Sequence, residues 1–405
     1  MKLYKLDNQV KHYLWGSPEW IPRLVGKENP ENTPWAELWM GVHGEGPSEI
    51  AGEKLTLEKL IAGDPGKFLG TARDFGNLPF LLKILAAASP LSVQAHPDLE
   101  NAKRGWAEEN KNGVPEQKRN YRDPNHKPEI ICALTPFTAM AGFRDPAEAE
   151  TLIRAFFSRK PALGDRLRAA LEGGYRAFLS AVFGLGAEER RLIRETAGGT
   201  DPAKVPAGPE FSGTFALCAK LAEAYPDDPG ILSPLYLNLV ELRPFQAIYL
   251  PAGILHSYVY GLGVECMANS DNVLRCGLTP KNVDLEELFR ILRFEPYRPE
   301  TIRGEIPEGK NLYRYRTPFR EFALFRLDPG ASEAALEENG AAIALVTHGE
   351  ISLSLGNDTL LLKQGESAFI PFRNNSRTLV ARAVNSGANP PPGETGLFVA
   401  LVPEP

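Results

Sequence analysis

The chain has 405 residues, of which 43% are hydrophobic and 24% charged, as is typical of a globular protein of roughly two or three domains. Its net charge of −6 argues against a nucleic-acid-binding or membrane-surface protein. No stretch approaches the roughly 18 apolar residues that span a bilayer, and residues 1–16 lack the apolar core of a signal peptide.

The cysteines are far apart in sequence and form no Cys-x-x-Cys pair; they are Cys132, Cys218, Cys266 and Cys276. This spacing predicts free, buried thiols in a reducing compartment. We therefore expect a cytoplasmic protein.

The first 144 residues show short strand-like runs separated by Gly, Pro and Asn. TLEKLIAG (56–63) predicts a short helix with Thr56 as its N-cap. Residues 98–122 are polar and predict a helix that becomes irregular. HKPEIICAL (126–134) turns apolar and β-branched, which predicts a strand.

The composition changes at Asp145, and residues 145–225 predict an all-helical insertion. Asp145 is the expected N-cap, Pro146 the first helical residue and Glu148 the acid of a capping box. Apolar residues then recur at helical spacing through this stretch.

Strand patterns return after residue 225, interrupted by a predicted helix at DLEELFRILR (284–293), and GND (356–358) is a candidate hairpin turn. LRPFQAIYLPAG (242–253) resembles LKQGESAFIPFR (362–373), but only the first copy is closely followed by a histidine. Because only one of the two similar β units carries a histidine, the pattern predicts one β-barrel with a functional site and one with a structural role.

LSVQAHPD (91–98) ends a long apolar run with polar residues. In an extended strand, Ser92, Gln94 and His96 share one face. Glu129 begins a predicted strand and His256 follows another, and two imidazoles, a carboxylate and an amide oxygen suit Zn2+. Alternatively, the glutamine and the first histidine satisfy loop backbone.

The other histidines are weaker candidates for chemistry. His12, His43 and His348 are expected to be surface or packing residues. His126 directly precedes Lys127-Pro128-Glu129 and is therefore closer to the candidate site.

GLGVECMANSDNVLRCGLTPKNV (261–283) alternates charged residues with residues of the kind found in cores. It contains Glu265, Asp271, Arg275 and Lys281. A surface loop with solvated charges is one interpretation. Charges interleaved with core residues are more often paired or functional.

Five motifs together resemble one family. PWAELWMGVH (34–43), LSVQAHPD (91–98), NHKPEIICALTPF (125–137), LPAGILHSYVYG (250–261) and ECMANSDNVLRCGLTPK (265–281) are similar to motifs of type I mannose-6-phosphate isomerases, which are zinc-dependent enzymes of the cupin superfamily.

The resemblance implies a mainly β fold with an α insertion, made of two cupin-type β-barrel (jelly-roll) domains and a helical domain. We expect residues 1–144 with 226–300 to form the metal-binding catalytic domain. Residues 145–225 would form the helical insertion, and residues 301–405 a C-terminal cupin-like domain without metal.

The family's metal ligands fall on Gln94, His96, Glu129 and His256, which implies one Zn2+ per chain, and its active-site arginine falls on Arg275. The chain departs from the family at two places. Phe245 replaces a usual glycine, which puts the turn geometry in question. Ile254-Leu255 replace a usual Glu-Pro, which could alter the rim of the pocket.

The implied reaction interconverts D-mannose 6-phosphate and D-fructose 6-phosphate through a cis-enediol, as part of mannose metabolism. Arg275, always charged, suits an electrostatic role. The candidates for proton transfer are Lys127, Glu265, Asp271 and His126, and Lys127 could instead bind phosphate or a sugar hydroxyl. The candidates for substrate binding are Arg275, Lys281, Ser92 and Lys83.

Two other functions remain possible from the residues alone. A cupin oxygenase would use Fe(II) with the same ligand types, and a non-enzymatic cupin would bind sugar without turnover. The isomerases that also transfer nucleotides are disfavoured because no Gly-rich nucleotide-binding segment is evident. We expect a monomer whose only partner is the sugar phosphate, with no nucleic acid or membrane.

Overall fold

The computed structural model describes residues 2–199, 207–281, 283–306, 311–329, 333–373, 378–384 and 396–403. In this part of the chain the fold is mainly antiparallel β-sheet with a group of helices. The strands are β1 Tyr4–Asp7, β2 Gln9–Lys11, β3 Glu37–Met40, β4 Glu49–Ile50, β5 Phe80–Ala87, β6 Gln94–Ala95, β7 Glu129–Ala133, β8 Phe137–Phe143, β9 Leu237–Leu242, β10 Gln246–Leu250, β11 His256–Ala268, β12 Leu274–Arg275, β13 Ile302–Arg303, β14 Leu312–Tyr315, β15 Ala323–Leu327, β16 Glu333–Leu336, β17 Ala342–His348, β18 Glu350–Leu355, β19 Asp358–Lys363, β20 Ser367–Ile370, β21 Leu379–Ala383 and β22 Gly396–Leu401.

The α-helices are α1 Trp20–Leu24, α2 Leu57–Gly63, α3 Pro65–Leu69, α4 Leu99–Lys111, α5 Pro146–Phe156, α6 Pro161–Glu172, α7 Tyr175–Phe183, α8 Ala187–Gly198, α9 Ser212–Ala224, α10 Ser233–Tyr236 and α11 Leu285–Ile291. Short 3-10 helices cover Gly70–Phe75, Glu116–Lys118, Pro209–Phe211 and Pro229–Leu232. Among the described residues, no helix is both long and apolar enough to cross a membrane.

The stretch predicted as a helical insertion is helical where the structure describes it, with α5 to α9 lying between residues 146 and 224. Asp145 caps α5 by accepting from the backbone N–H of Ala147 at 2.9 Å, and Thr56 caps α2 by accepting from Lys59. The capping box at Glu148 is wrong: this carboxylate instead pairs with the buried guanidinium of Arg144 one turn earlier.

The largest sheet of the described residues has eleven strands, and its main path runs β13-β10-β7-β11-β5-β3-β2. Lys83 lies opposite Trp39 on one side and opposite Glu265 on the other. Directly opposed residues of antiparallel strands share a face, so these three side chains lie in one row. The alternate residues, such as Ile84, Leu38 and Val264, pack into an apolar core on the other face.

The strand predicted through LSVQAHPD is wrong in its extent. β5 ends at Ala87, and β6 is only Gln94–Ala95. Pro90 lies in the break and has no N–H to donate to a ladder. The backbone resumes contact at Leu91, whose N–H donates to the carbonyl of Tyr258. Ser92 and His96 therefore flank a two-residue strand instead of sharing a continuous one.

Two further sheets are described in the C-terminal part. A four-stranded sheet runs β16-β21-β18-β19, and the predicted hairpin is confirmed because β18 and β19 pair around Gly356-Asn357. A seven-stranded sheet runs β14-β15-β22-β17-β20-β1-β4. This sheet takes β1 from the start of the chain, with Tyr4 opposite Phe369.

Candidate metal centre and active site

Three side chains that the sequence places far apart meet in the interior. His256 Nε2 lies 3.0 Å from Glu129 Oε1, and His96 Nε2 lies 3.4 Å from Glu129 Oε2. Each of the three residues is at most 2% exposed. Glu129 begins β7, as the sequence indicated, and His256, predicted to follow a strand, begins β11.

The hydrogen bonds of the two histidines determine which ring nitrogen faces Glu129. Nδ1 of His96 donates to the carbonyl of Asn272 at 2.7 Å, and Nδ1 of His256 donates to the carbonyl of Ile254 at 2.9 Å. Both Nε2 atoms are then lone-pair acceptors pointing at a carboxylate.

These acceptors lack a donor. His96 Nε2, His256 Nε2 and Glu129 Oε2 are buried with no hydrogen-bond partner among the described residues. The three ligand atoms lie within 4.8 Å of one another. Buried lone pairs that converge in this way fit a divalent cation, and the Nδ1–carbonyl bonds are the outer contacts that metal-binding histidines make.

The surroundings favour the protonation states that a metal requires. Burial, with the nearby charge of Lys127, lowers the pKa of His96 to about 4. Burial alone would raise the pKa of Glu129, but the imidazoles of His256 and His96 take up a proton before the carboxylate does, and their charge then holds the pKa of Glu129 well below its usual range. Tyr258 also donates to Glu129 Oε1 at 2.9 Å. A neutral imidazole and a carboxylate result.

Gln94 lies between the histidine and the arginine that the sequence singled out. It is opposite His256 in the β11–β6 pair and opposite Arg275 in the β6–β12 pair. The three side chains therefore share one face in a single row. Arg275 on β12 is thus separated from His256 on β11 by a single strand, β6.

Arg275 belongs to a group of cations. Burial lowers the pKa of Arg275, and the charge of Arg122 lowers it further. The charge of Arg275 is the main cause of a lowered pKa at Lys281, which Arg122 also affects. Like charges that disfavour one another leave an attractive place for an anion. No hydrogen bond or ion pair of the described residues joins the side chain of Ser92 to this group.

Lys83 lies inside a buried pair of carboxylates. Its Nζ is 3.1 Å from Glu265 Oε2 and 3.4 Å from Glu37 Oε1, and the indole N–H of Trp39 donates to the other oxygen of Glu37 at 2.8 Å. Burial alone would lower the pKa of Lys83, but Glu265 and Glu37 raise it above its usual range.

The pKa of Glu265 is also raised, but for a carboxyl group a raised pKa favours the neutral form. Burial is the main cause of its raised pKa, and Glu129 and Glu37 add to the effect against the attraction of Lys83. The triad holds two carboxylates for one ammonium. Glu265 is therefore a carboxyl group that takes up a proton more easily than an exposed glutamate does.

The remaining candidates lie around the same cluster. Lys127 Nζ is 3.8 Å from Glu129 Oε2. Asp271 Oδ1 is 3.3 Å from His43 Nε2, and Lys127 is among the charges that lower the pKa of Asp271. The ring of His126 is engaged by Glu321 at 2.9 Å.

Sequence reasoning missed Glu37, Arg122 and Tyr258, and it treated His43 as a packing residue. Glu37 had a usable signal, since it is a lone charge in the apolar strand ELWM. His43 and Tyr258 had none, because their partners Asp271 and Glu129 lie more than one hundred residues away along the chain.

The chain was compared with known proteins. Residues 3–146 match the family described as phosphomannose isomerase type I, catalytic domain. The mannose-6-phosphate isomerase of Escherichia coli is 39% identical over 93% of this chain and 97% of its own length. The human mannose-6-phosphate isomerase is 31% identical over 87% and 89%.

This chain is a type I phosphomannose isomerase family member. A solved mannose 6-phosphate isomerase bound with zinc and yttrium is 34% identical, covers both chains completely and superposes with a TM-score of 0.86. The apo form from Salmonella typhimurium is also 34% identical, with a TM-score of 0.85.

The structure shows what the departures from the phosphomannose isomerase motifs do. Phe245 has φ of 67°, so the turn keeps a left-handed conformation without a glycine. Its ring packs on the guanidinium of Arg326 at 4.0 Å. Ile254 and Leu255 are buried in the hydrophobic core, so these side chains do not form an exposed rim.

Proposed function

We propose that this member of the family interconverts D-mannose 6-phosphate and D-fructose 6-phosphate at a site that holds one Zn2+. The observation that carries the proposal is the convergence of two imidazole lone pairs and a buried carboxylate, without a donor, beside a set of cations. His96, Glu129 and His256 would hold the metal, and Gln94, next to His256 in the ladder, is the proposed fourth ligand.

The reaction moves a proton from C2 of the open-chain sugar to C1 and a second proton from O2 to O1. When bound, Zn2+ supplies positive charge that stabilises negative charge on the sugar oxygens. Arg275 lies in the same row as His256 and Gln94 and is the proposed electrostatic partner for the same charge.

Two carboxyl groups and one lysine are the proposed proton carriers. Glu265 has a raised pKa and is suited to carry a proton, while Asp271 has a lowered pKa and is therefore ionised, with both oxygens free of a proton. Lys127 lies beside Glu129, close enough to serve either as a carrier or as a donor to a hydroxyl. Lys83, held charged by two carboxylates, is proposed to donate hydrogen bonds to the sugar.

The phosphate is proposed to bind at the cations. Arg275 disfavours the charge of Lys281, Arg122 disfavours the charge of Arg275, and the dianion of a sugar phosphate would relieve this repulsion. Arg122 adds a third positive charge to the same place. Ser92, next to the strand that carries Gln94, remains a proposed hydroxyl donor.

The domain division also stays a proposal, with two cupin-type units around 1–144 with 226–300 and 301–405 and a helical unit at 145–225. The pairing of β1 with β20 ties the first strand to the C-terminal sheet. The cytoplasmic location and the monomeric state stay predictions. The described cysteines are free and buried, as a reducing compartment allows.

The decisive experiment is a coupled assay with mannose 6-phosphate, run before and after removal of metal by a chelator. We expect turnover that is lost with the metal and restored by added Zn2+. Turnover that persists in metal-free protein would contradict the proposal. Product formation that requires O2 would instead support a cupin oxygenase.

A further inference from the structure

His43, which the sequence presents as an ordinary packing histidine, lies directly against Asp271. The residue follows β3, is 8% exposed, and places Nε2 3.3 Å from Asp271 Oδ1. The sequence separates the two residues by more than two hundred positions. The contact is therefore a product of the fold.

The neighbours of His43 fix both its ring orientation and its hydrogen. The backbone N–H of Glu45 donates to Nδ1 at 3.3 Å, so Nδ1 uses its lone pair and Nε2 carries the hydrogen. The indole of Trp39 packs edge-to-face on the ring, with centroids 4.7 Å apart. Nε2–H is thus on the side of the ring that faces Asp271, whose Oδ1 lies 3.3 Å from Nε2.

Asp271 is held at a second point by its backbone, whose N–H donates to Asp123 Oδ2 at 2.7 Å. Its side chain is 32% exposed. Among the described residues, no hydrogen bond or ion pair engages Oδ2 of Asp271. One carboxylate oxygen is therefore fixed and the other is open.

We propose that His43 is a positioning residue that binds Oδ1 of Asp271 and thereby presents Oδ2 to the proton that the isomerisation moves. This inference rests on the proposed function, because it takes Asp271 as a proton carrier of that reaction. Unlike Lys127, Asp271 has no contact with the proposed metal ligands among the described residues.

The contact also has a pH signature. Burial alone would raise the pKa of Asp271, but donation from His43 lowers it, with the charges of Lys127 and Arg122 acting in the same sense. Asp123 and Tyr13 are the other titratable groups that face it. Removing the His43 donor raises the pKa of Asp271, so activity that needs the ionised carboxylate is lost at higher pH than before.

The test compares His43→Gln with His43→Asn in the full-length, zinc-loaded protein. Both side chains are amides, but only the longer one can place an N–H where Nε2 of the histidine lies. We expect His43→Asn to lower kcat by roughly 10- to 100-fold with little change in KM, and to move the acid limb of kcat/KM to higher pH. His43→Gln should retain most of kcat and nearly the wild-type pH profile.

Zinc content and unfolding midpoints of both variants separate positioning from misfolding. The inference is overturned if both variants fold, bind zinc and match the wild type in kcat and pH profile. It is also overturned if both fold and bind zinc but lose activity equally while the acid limb of the pH profile does not move. The double variant His43→Asn/Asp271→Asn should be no worse than Asp271→Asn, and a multiplicative loss would also overturn it. A wild-type protein without isomerase activity would instead overturn the proposed function.

Discussion

Lys83 and Glu265 lie directly opposite one another on β5 and β11, and their charged atoms are 3.1 Å apart at 5% and 3% exposure. Glu37 approaches the same ammonium from β3. An ammonium in such a place is immobile and charged, which suits a fixed hydrogen-bond donor better than a proton shuttle.

Replacing Lys83 with Met should leave two buried carboxylates without a cation. Breaking a buried ion pair in this way typically costs about 3–5 kcal/mol, so we expect a loss of this order in the free energy of unfolding, measured by denaturant titration. Adding Glu37→Gln should recover part of the loss. The exposed Lys103 provides a control, since Lys103→Met should change stability by less than about 0.5 kcal/mol. Equal stability of Lys83→Met and wild type would contradict the coupling.

Replacing His256 or Glu129 with Ala should remove bound metal and turnover together, because each residue contributes a ligand atom to the same cluster. Elemental analysis measures the metal and a coupled assay measures turnover. The exposed His348 at the end of β17 is a matched control, and His348→Ala should keep both. A metal-free His256→Ala variant with normal turnover would show that the metal has no part in the reaction.

Removing the metal from the wild-type protein should also lower its thermal stability. The unpartnered acceptors of His96, Glu129 and His256 then face one another without a cation. A ligand present at 100 to 1,000 times its Kd stabilises the native state by about 3–4 kcal/mol. Calorimetry with chelator should therefore show a lower Tm that returns on addition of Zn2+. An unchanged Tm would mean that the cluster holds no metal under these conditions.

Two of the three cations of the proposed phosphate site, Lys281 and Arg275, should differ in their kinetic effects. Lys281 lies at the exposed end of the group, and Lys281→Ala should raise KM for mannose 6-phosphate by roughly 10- to 100-fold, the worth of one charge-assisted hydrogen bond. Arg275, beside Gln94, should affect turnover, and Arg275→Ala should lower kcat far more than it weakens binding. If only KM rose in Arg275→Ala, this residue would be a binding group alone.

Phe245 offers a test of backbone strain. A left-handed conformation costs a non-glycine residue about 1–2 kcal/mol, and the ring of Phe245 offsets this by packing on Arg326. Both Phe245→Ala and Phe245→Gly lose the ring, but only glycine also loses the strain. We expect the Gly variant to be more stable than the Ala variant by about 1 kcal/mol in denaturant unfolding. The usual order, with Ala more stable, would show that the turn is unstrained.

The local signals in the sequence predicted local structure well. Asp145 caps its helix and Glu129 begins a strand as expected, because these features depend on neighbours within a few residues. The capping box at Glu148 failed because Arg144, itself buried by α9 and α10, competes for the same carboxylate.

Long-range pairing could not be predicted from periodicity. The triad around Lys83 depends on the register of three strands, and a shift of one residue would turn every side chain to the other face. The metal-binding residues were predicted to lie together only through the resemblance to the family. Glu37 lies within the motif PWAELWMGVH but received no role from the resemblance, and its role follows from the pairing of β3 with β5.

The pairing of β1 with β20 has a consequence for biosynthesis. Tyr4 and its partner Phe369 are separated by more than 350 positions, so one edge of β1 has no partner until β20 has been made. β4 can cover the other edge early, since Leu6 pairs with Ile50. Until β20 arrives, the nascent chain carries an open strand edge, which is where it is most exposed to aggregation and where chaperone protection would matter most.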